Sequence, residues 1–408
     1  MPTIANAQAE TLLIPDSEAE LSELLRHHHA GGLPWTPSGL GTRLHWGAPL
    51  QQAGAVVSVR RLNGIVDHAV DDLTITVQAG LPLADLQQLL AEHGQWLPVD
   101  WPWGTSPALS ATAGTVGGLV ARGLSGSLRQ RHMGVRDQLI GIGLLRSDGV
   151  AAHAGGRVVK NVAGYDLMRL LCGSWGSLAL ITEVTLRLQP MRTHRRQLRI
   201  RGDLPGLERL RAEVVGGPFT PDWIDWERSG CDHCCLHVGV ASISDAAVND
   251  QLDQIAQLAD RQSLSSERLA WPQAVPDPVE TGTNPQTCWL LRLCLPPSRC
   301  AELFTSAECR QLDGWRWRLA AGLGSGEAWQ TTGAVTTVSA VINLRRHVMA
   351  LGGELSVLVQ PPSLVADPGL PAWSDAPSKA VIAAVKRQFD PSLQLARGRL
   401  PGVAEPLA

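Results

Sequence analysis

Leu21, Leu24 and Leu25 recur at helical spacing behind Ser17-Glu-Ala-Glu20, which has the form of a capping box, and Gly31 supplies a stop. These positions predict a helix between Ser17 and Gly31. A short apolar piece at 33–36 then leads into Pro37-Ser-Gly-Leu-Gly-Thr-Arg43. Residues 55–59 and 74–77 are rich in β-branched side chains and read as strands. Residues 82–93 form an amphipathic helical pattern, with Pro82 in its first turn and Gly94 just past its end. The order is that of a small α/β unit, spanning residues 1 to about 104.

A second unit follows, to residue 190. Ala111-Thr-Ala-Gly-Thr-Val-Gly-Gly118 is another glycine-rich loop, running into the apolar Leu119-Val-Ala. Residues 138–145 and 149–153 flank Ser147-Asp148-Gly149, a hairpin signal. Residues 178–188 alternate as a strand does. From the arginine-rich stretch after 190 the pattern changes: 207–215 and 245–262 read as helices, and 287–295 and 353–360 as strands. We read 191–375 as a second α/β domain, and 376–408 as a closing helix (379–388) with a coil tail.

Composition narrows the function classes. The chain has 408 residues, 44% hydrophobic and 18% charged, and a net charge of −3, which gives no reason to expect nucleic acid or an anionic membrane as a bulk partner. No apolar run approaches the roughly 18 residues of a membrane helix, and the N-terminus lacks the zones of a signal peptide. The expected location is the cytoplasm, or the inner face of a membrane reached through partners. The eight cysteines, including Cys231, Cys234 and Cys235, lack a second matching pair for a structural metal site. They read as reduced core thiols, with no metal, and Cys288 and Cys294 share one face of an apolar strand. Arg outnumbers Lys by 32 to 3, and Tyr165 is the only tyrosine. Yet Lys160 and Tyr165 share one octapeptide, Lys160-Asn-Val-Ala-Gly-Tyr-Asp-Leu167, which suggests a specific chemical need there.

Glycine-rich loops let successive backbone N–H groups converge on a phosphate. The first loop is neither a nucleotide-hydrolase phosphate loop nor a dinucleotide fingerprint, which would open a helix. Alone it also fits an ordinary turn. Two such loops about 70 residues apart suit a cofactor with two phosphates and two flat rings. Their spacing resembles the FAD-binding domain of the vanillyl-alcohol oxidase type.

The run from Ala111 through Met133-Gly-Val-Arg-Asp137 and Lys160-Asn-Val-Ala-Gly-Tyr-Asp-Leu167 to Pro190 resembles the FAD-linked oxidase family. Within it, the similarity is to the smaller FAD-binding subunits of bacterial glycolate oxidases. It covers about residues 33–190, with Arg387-Gln-Phe-Asp-Pro391 and Ala396-Arg-Gly-Arg399-Leu-Pro-Gly402 similar to the family's closing segment. The resemblance implies an α/β (α+β) chain: a two-subdomain FAD domain (about 1–104 and 105–190), a second α/β cap domain, and a tail returning to the FAD domain.

It further implies that Pro37, Ser38, Gly39, Leu40, Gly41 and Thr42 wrap the pyrophosphate. Thr112, Gly114, Thr115, Gly117 and Gly118 would line the pyrophosphate and the isoalloxazine edge. Gly134, Val135, Arg136 and Asp137 would form the inner wall, and Gly173, Ser174, Gly176 and Ile181 the adenine side. Asn161 and Gly164 fall in the matching Lys-Asn-x-x-Gly-Tyr-Asp pattern. FAD would be non-covalent, because the first loop reads Gly41-Thr-Arg-Leu where a histidyl link would stand; His45 lies just beyond. Arg136, Lys160 and Arg43 are candidate clamps for a substrate carboxylate, and Tyr165 or His132 a candidate base. Plainer readings stand beside these: a local ion pair for Arg136 and Asp137, a core aromatic for Tyr165, a surface charge for Lys160, and packing for Trp101 and Trp103.

The reaction implied is oxidation of a 2-hydroxy acid such as glycolate, with electrons passed to a larger flavoprotein subunit and an iron–sulfur subunit. Beyond residue 190 the histidines are His194, His233, His237 and His347, with no His-x-His. Relatives that oxidise hydroxy acids outright carry closely spaced histidines there. An accessory flavin-bearing subunit and a stand-alone FAD oxidase of another alcohol are therefore the alternatives.

Overall fold

In a computed structural model of the chain, the residues described are 11–51, 54–100, 114–156, 166–230, 233–271, 289–331, 336–361, 364, 370–405 and 407. The chain forms two compact units, one of 1–124, 133–191 and 371–408, the other of 125–132 and 192–370.

The first unit opens with the helix Glu18–Ala30. Ser17 Oγ accepts from Glu20 N, while the Glu20 carboxylate reaches back to Asp16 N at 2.9 Å, one residue earlier than a standard box would place it. Strands β1 (Leu12–Leu13), β2 (Trp35–Ser38) and β3 (Ala55–Ser58) make a small parallel sheet in the order β1-β3-β2. Parallel pairing puts the loop after β2 at the carboxyl end of the sheet, where α/β folds bind ligands. Beside it, β4 (Ile65–Ala69), β5 (Thr74–Gln78), β7 (Leu139–Leu145), β8 (Ala151–Gly155) and β9 (Leu180–Arg187) form an antiparallel sheet in the order β4-β5-β9-β7-β8. Strand β6 (Gln95–Trp96) pairs with β10 (Gln189–Pro190). Leu83, Leu86 and Leu90 of the helix Leu83–Glu92 and Val116, Leu119 and Val120 of the helix Val116–Arg122 fill one core with Ile75, Val77 and Val184.

The second unit is one eight-stranded sheet in the order β14-β11-β13-β12-β16-β17-β15-β18. Its strands are β11 (His194–Arg201), β12 (Trp223–Ser229), β13 (His233–Ser242), β14 (Ser265–Ala270), β15 (Leu290–Cys294), β16 (Trp315–Ala320), β17 (Ser325–Gln330) and β18 (Glu354–Val359). Residues directly paired across strands share a face, so the register separates two chemistries. One row runs Ile200–Leu236–Trp226–Leu319–Gly326–Leu293–Leu355 and lies in the core under the helices Leu204–Gly216, Asp245–Arg261 and Val338–Ala350. The next row, on the opposite face, runs Arg201–Cys235–Glu227–Arg318–Glu327–Arg292. The arginines of β11 thus mark a polar sheet face, which the sequence pattern alone left unassigned.

Residues 125–132, read from sequence within the first domain, cluster with the second unit instead. Arg292 donates to Ser125 O at 2.5 Å, and His132 bonds to Asp222 at 2.7 Å. The helix Lys379–Phe389 and the segment after it return to the first unit, where Leu395, Ala396, Leu400 and Val403 enter its core. The fold class is the one expected. Among the described residues no helix is long and apolar enough to cross a membrane.

Candidate functional site

Three glycine loops of the first unit touch one another. After β2 the chain turns through Gly39, Leu40, Gly41 (φ +76°) and Thr42, with Ser58 Oγ donating to Gly39 O at 2.6 Å. A Cβ added to Gly39 would lie 2.7 Å from Thr115 Cγ2 and closer still to its hydroxyl, so only glycine lets the two loops meet. Gly114 (φ +80°) faces Arg43 Nη1 and Thr42 Oγ1 at 3.3 and 3.4 Å from its would-be Cβ. Gly176 (φ +70°) packs its backbone on Pro37, and Gly173 N donates to Val120 O at 3.1 Å. The sequence-predicted loops around 37–42, 114–118 and 173–176 are therefore one cluster.

Their amides are used differently. Gly117 and Gly118, read from sequence as loop, lie inside the helix Val116–Arg122, which Thr115 caps by accepting from Gly118 N at 3.1 Å. Val116 N and Gly117 N donate to Leu81 O and Ala79 O at 2.9 and 2.8 Å. Those donors are consumed within the chain, so Gly117 serves close packing: its Cβ would sit 2.6 Å from that of Ala79. The N–H groups of Gly39, Leu40, Gly41 and Thr42 have no acceptor among the described residues. Four consecutive open donors in a partly buried turn are a concave anion cradle.

Cations gather beside that turn. Arg43 donates to Thr42 Oγ1 at 3.1 Å, and its guanidinium lies 5.2 Å from the ring of the buried Trp46. Arg122 lies 5.6 Å from the same ring and donates through Nε to Gly118 O at 3.1 Å. Burial, and then the charge of Arg43, hold the Arg122 pKa well below the usual guanidinium range. Arg399, from the returning tail, donates to Ala48 O at 2.9 Å and to Leu44 O, and burial pushes it down to about 10. Two guanidiniums held close at a cost, next to open amides, fit the diphosphate of FAD. Sequence reasoning missed Arg122, Trp46 and Arg399.

The other predicted residues are distributed more widely. Asp137 accepts from Gly134 N at 3.2 Å and so shapes its own turn, Val135 is buried, and Arg136 is exposed. Both charges of that turn act on Cys172, beside the third loop, although burial is the main reason this thiol rises to about 11. Ser174 O accepts from Ser177 Oγ at 2.6 Å, and Ile181 is buried in β9. Thr112, Lys160, Asn161, Gly164, Tyr165, Trp101 and Trp103 lie outside the described residues.

In the second unit, His132 is buried, with Asp222 accepting from it at 2.7 Å; Arg192 and Ala241 N also donate to that carboxylate, at 2.9 and 2.7 Å. His132 thereby anchors the 125–132 segment. Cys300 and Cys309 are core thiols as expected, but Cys294 is exposed, because its strand position carries it to the outer end of β15 opposite Ser325 and Glu354.

Residues 9–155 match the FAD binding domain family. The chain is 34% identical over 188 residues to glycolate oxidase subunit GlcE of Escherichia coli, covering 46% of this chain and 51% of that protein. It is 31% identical over 185 residues to the mitochondrial D-lactate dehydrogenase [cytochrome] of Arabidopsis thaliana, covering 45% of this chain and 31% of that one. With glycolate oxidase subunit GlcD of Bacillus subtilis it shares 29% over 219 residues, 53% of this chain and 45% of the relative. The matches thus span about half or less of these relatives' lengths. A solved alkyldihydroxyacetonephosphate synthase superposes with a TM-score of 0.68 at 13% identity, over 94% of this chain and 76% of that one, which establishes a common fold. The match over residues 9–155 to the FAD binding domain family supports FAD as the cofactor of this chain.

Proposed function

We propose that this chain is the FAD-binding subunit of a 2-hydroxy acid oxidoreductase, taking glycolate to glyoxylate and passing electrons to a larger flavoprotein subunit and an iron–sulfur subunit. It would work in the cytoplasm, or at the inner face of a membrane through those partners. The observation that carries the flavin part is the turn Gly39–Thr42, with four open N–H donors flanked by Arg43 and Arg122. The names of the relatives support the substrate class.

Bound FAD supplies a two-electron acceptor for the CH–OH carbon. The chain's own part is to hold and screen it. The open amides would donate to the pyrophosphate, Arg43 and Arg122 would balance its charge, and the apposed glycines would let the backbone approach it closely. Pro37 and Ser38 lead into that turn. Gly114 and Thr115 close it from the other side, and Gly173, Ser174 and Gly176 back it. We assign Arg136 and Lys160 to a substrate carboxylate and Tyr165 to the hydroxyl proton.

Replacing Arg122 by Met should weaken FAD binding roughly 10- to 150-fold, the worth of about 1.5–3 kcal/mol for a charged hydrogen bond. The apo-protein should melt close to the parent, since the half-buried guanidinium takes with it both its bond to Gly118 O and its desolvation cost. Flavin reconstitution and apo melting measure the two arms, and unchanged FAD affinity would remove Arg122 from the cradle.

The missing His-x-His favours a second reading, an accessory flavin subunit whose sister chain turns over substrate. Anaerobic glycolate separates the two. Bleaching of the isolated chain's flavin is the expected result. Bleaching only in the co-expressed complex would shift turnover to the partner, and no bleaching in either would sink the hydroxy-acid assignment.

A further inference from the structure

The polar face of the eight-stranded sheet brings together three groups that sequence spacing does not connect. Cys235 and His237 are two apart on β13, so both project from one face, and Glu227 on β12 stands directly opposite Cys235. His237 Nε2 lies 2.8 Å from Glu227 Oε2 and 3.3 Å from Cys235 Sγ, and the three ligand atoms all fall within 4.8 Å of one another. We propose that Glu227, Cys235 and His237 are a binding site for one divalent transition-metal ion of the zinc class.

Metal–ligand bonds of about 2.0–2.3 Å in a tetrahedron place ligand atoms roughly 3.3–3.8 Å apart. The Cys–His separation already meets that value. The Glu–His contact must open by about half an ångström, which the Glu227 side chain, 44% exposed, has room to do. The donors sit on two hydrogen-bonded strands in the interior of the sheet, so the backbone holds two of the ligand vectors before any ion arrives. A thiolate, an imidazole and a carboxylate together favour zinc-like ions over magnesium or calcium, which take oxygen ligands. Three protein ligands leave a fourth position for water or an anion.

The surrounding charge is already matched. Arg199 and Arg201 reach Glu267, and Arg318 reaches Asp225 at 2.6 Å, while the Glu227 carboxylate, which also feels Arg316 and Arg318, has His237 as its direct partner and would share that imidazole with the ion. On binding, the Cys235 S–H bond breaks, its proton goes to solvent, and the sulfur electron pair forms the metal bond.

The test is titration of the purified, FAD-loaded chain with Co2+, followed by displacement with Zn2+. One Co2+ per chain, with a near-ultraviolet thiolate-to-cobalt band, is expected. Cys235→Ser should abolish that band, and His237→Ala and Glu227→Gln should each weaken binding by about tenfold or more. Cys294→Ser, which removes an exposed thiol of the same sheet, should change nothing. Flavin content reports folding in every variant and is independent of the metal readout. Absence of a thiolate band, or a band unaltered by Cys235→Ser, would overturn the site and leave the flavin assignment untouched.

Discussion

Replacing Lys386 by Met is expected to destabilise the first unit by about 3–5 kcal/mol, the cost of breaking one half of a buried ion pair. Lys386 is 4% exposed and Asp390 is 0% exposed. The ammonium donates to Asp390 Oδ2 at 2.6 Å, Ser177 O at 2.7 Å and Leu395 O at 2.8 Å. Its pKa is nevertheless lowered, because burial outweighs the help it receives from Asp390. The pair is thus held together by geometry at a solvation cost, and losing the cation strands a carboxylate in the core. Asp390 in turn accepts from Gln394 N and Leu395 N, and these residues carry the tail onto β2. Trp35 N donates to Gln394 O, and Ala396 N donates to Trp35 O at 2.9 Å. Strand β2 leads straight into the turn proposed to hold the flavin, so loosening the tail should also release FAD. Flavin-release melting should fall by roughly 6–20 °C for a unit of this size. The double change Lys386→Met with Asp390→Leu should be no worse than the single one, since no charge is left uncompensated. A single variant that melts within about 1 °C of the parent would mean the pair is dispensable.

Local signals were readable in the sequence where the physics is local. The helix Glu18–Ala30 follows from Ser17, three leucines and Gly31, and the hairpin of β7 and β8 from Ser147-Asp148-Gly149 (Gly149 has φ +76°). Strands β11, β12, β13, β16 and β17 were not readable. In His194-Arg-Arg-Gln-Leu-Arg-Ile-Arg201 the charged positions are satisfied by partners such as Asp245 and Glu267, tens of residues away. The edge strand β4 was missed as well, since its exposed Ile65 and Val66 break the alternation. The proposed flavin site divides the same way. Its glycines announce themselves by spacing and by family resemblance, whereas Arg43, Arg122 and Arg399 meet only because three distant segments fold onto one turn. A search for Cys-x-x-Cys likewise draws attention to Cys231 and Cys234, while the register selects Cys235 with Glu227.

Gly39→Ala carries the second large effect, the loss of FAD. The new methyl would lie 2.7 Å from Thr115 Cγ2, and Thr115 cannot retreat. It is 2% exposed, its hydroxyl caps the helix Val116–Arg122 through Gly118 N, and the next two amides are tied to Leu81 O and Ala79 O. The softer partner is the turn Gly39–Thr42, so it must move away from Gly114 and splay its four donors. Overpacking of this kind costs about 1–3 kcal/mol, equivalent to roughly 5- to 150-fold in FAD affinity if the strain is relieved only in the empty protein. Gly156→Ala is the matched control: among the described residues nothing lies within 4 Å of its would-be Cβ, and FAD content should stay at the parent level. Flavin per chain after purification, followed by the reconstitution Kd, reads both. Should Gly39→Ala retain full FAD while the apo-protein melts lower, the contact with Thr115 would be a packing feature of the unit, and the cradle would have to lie elsewhere than in the turn it now defines.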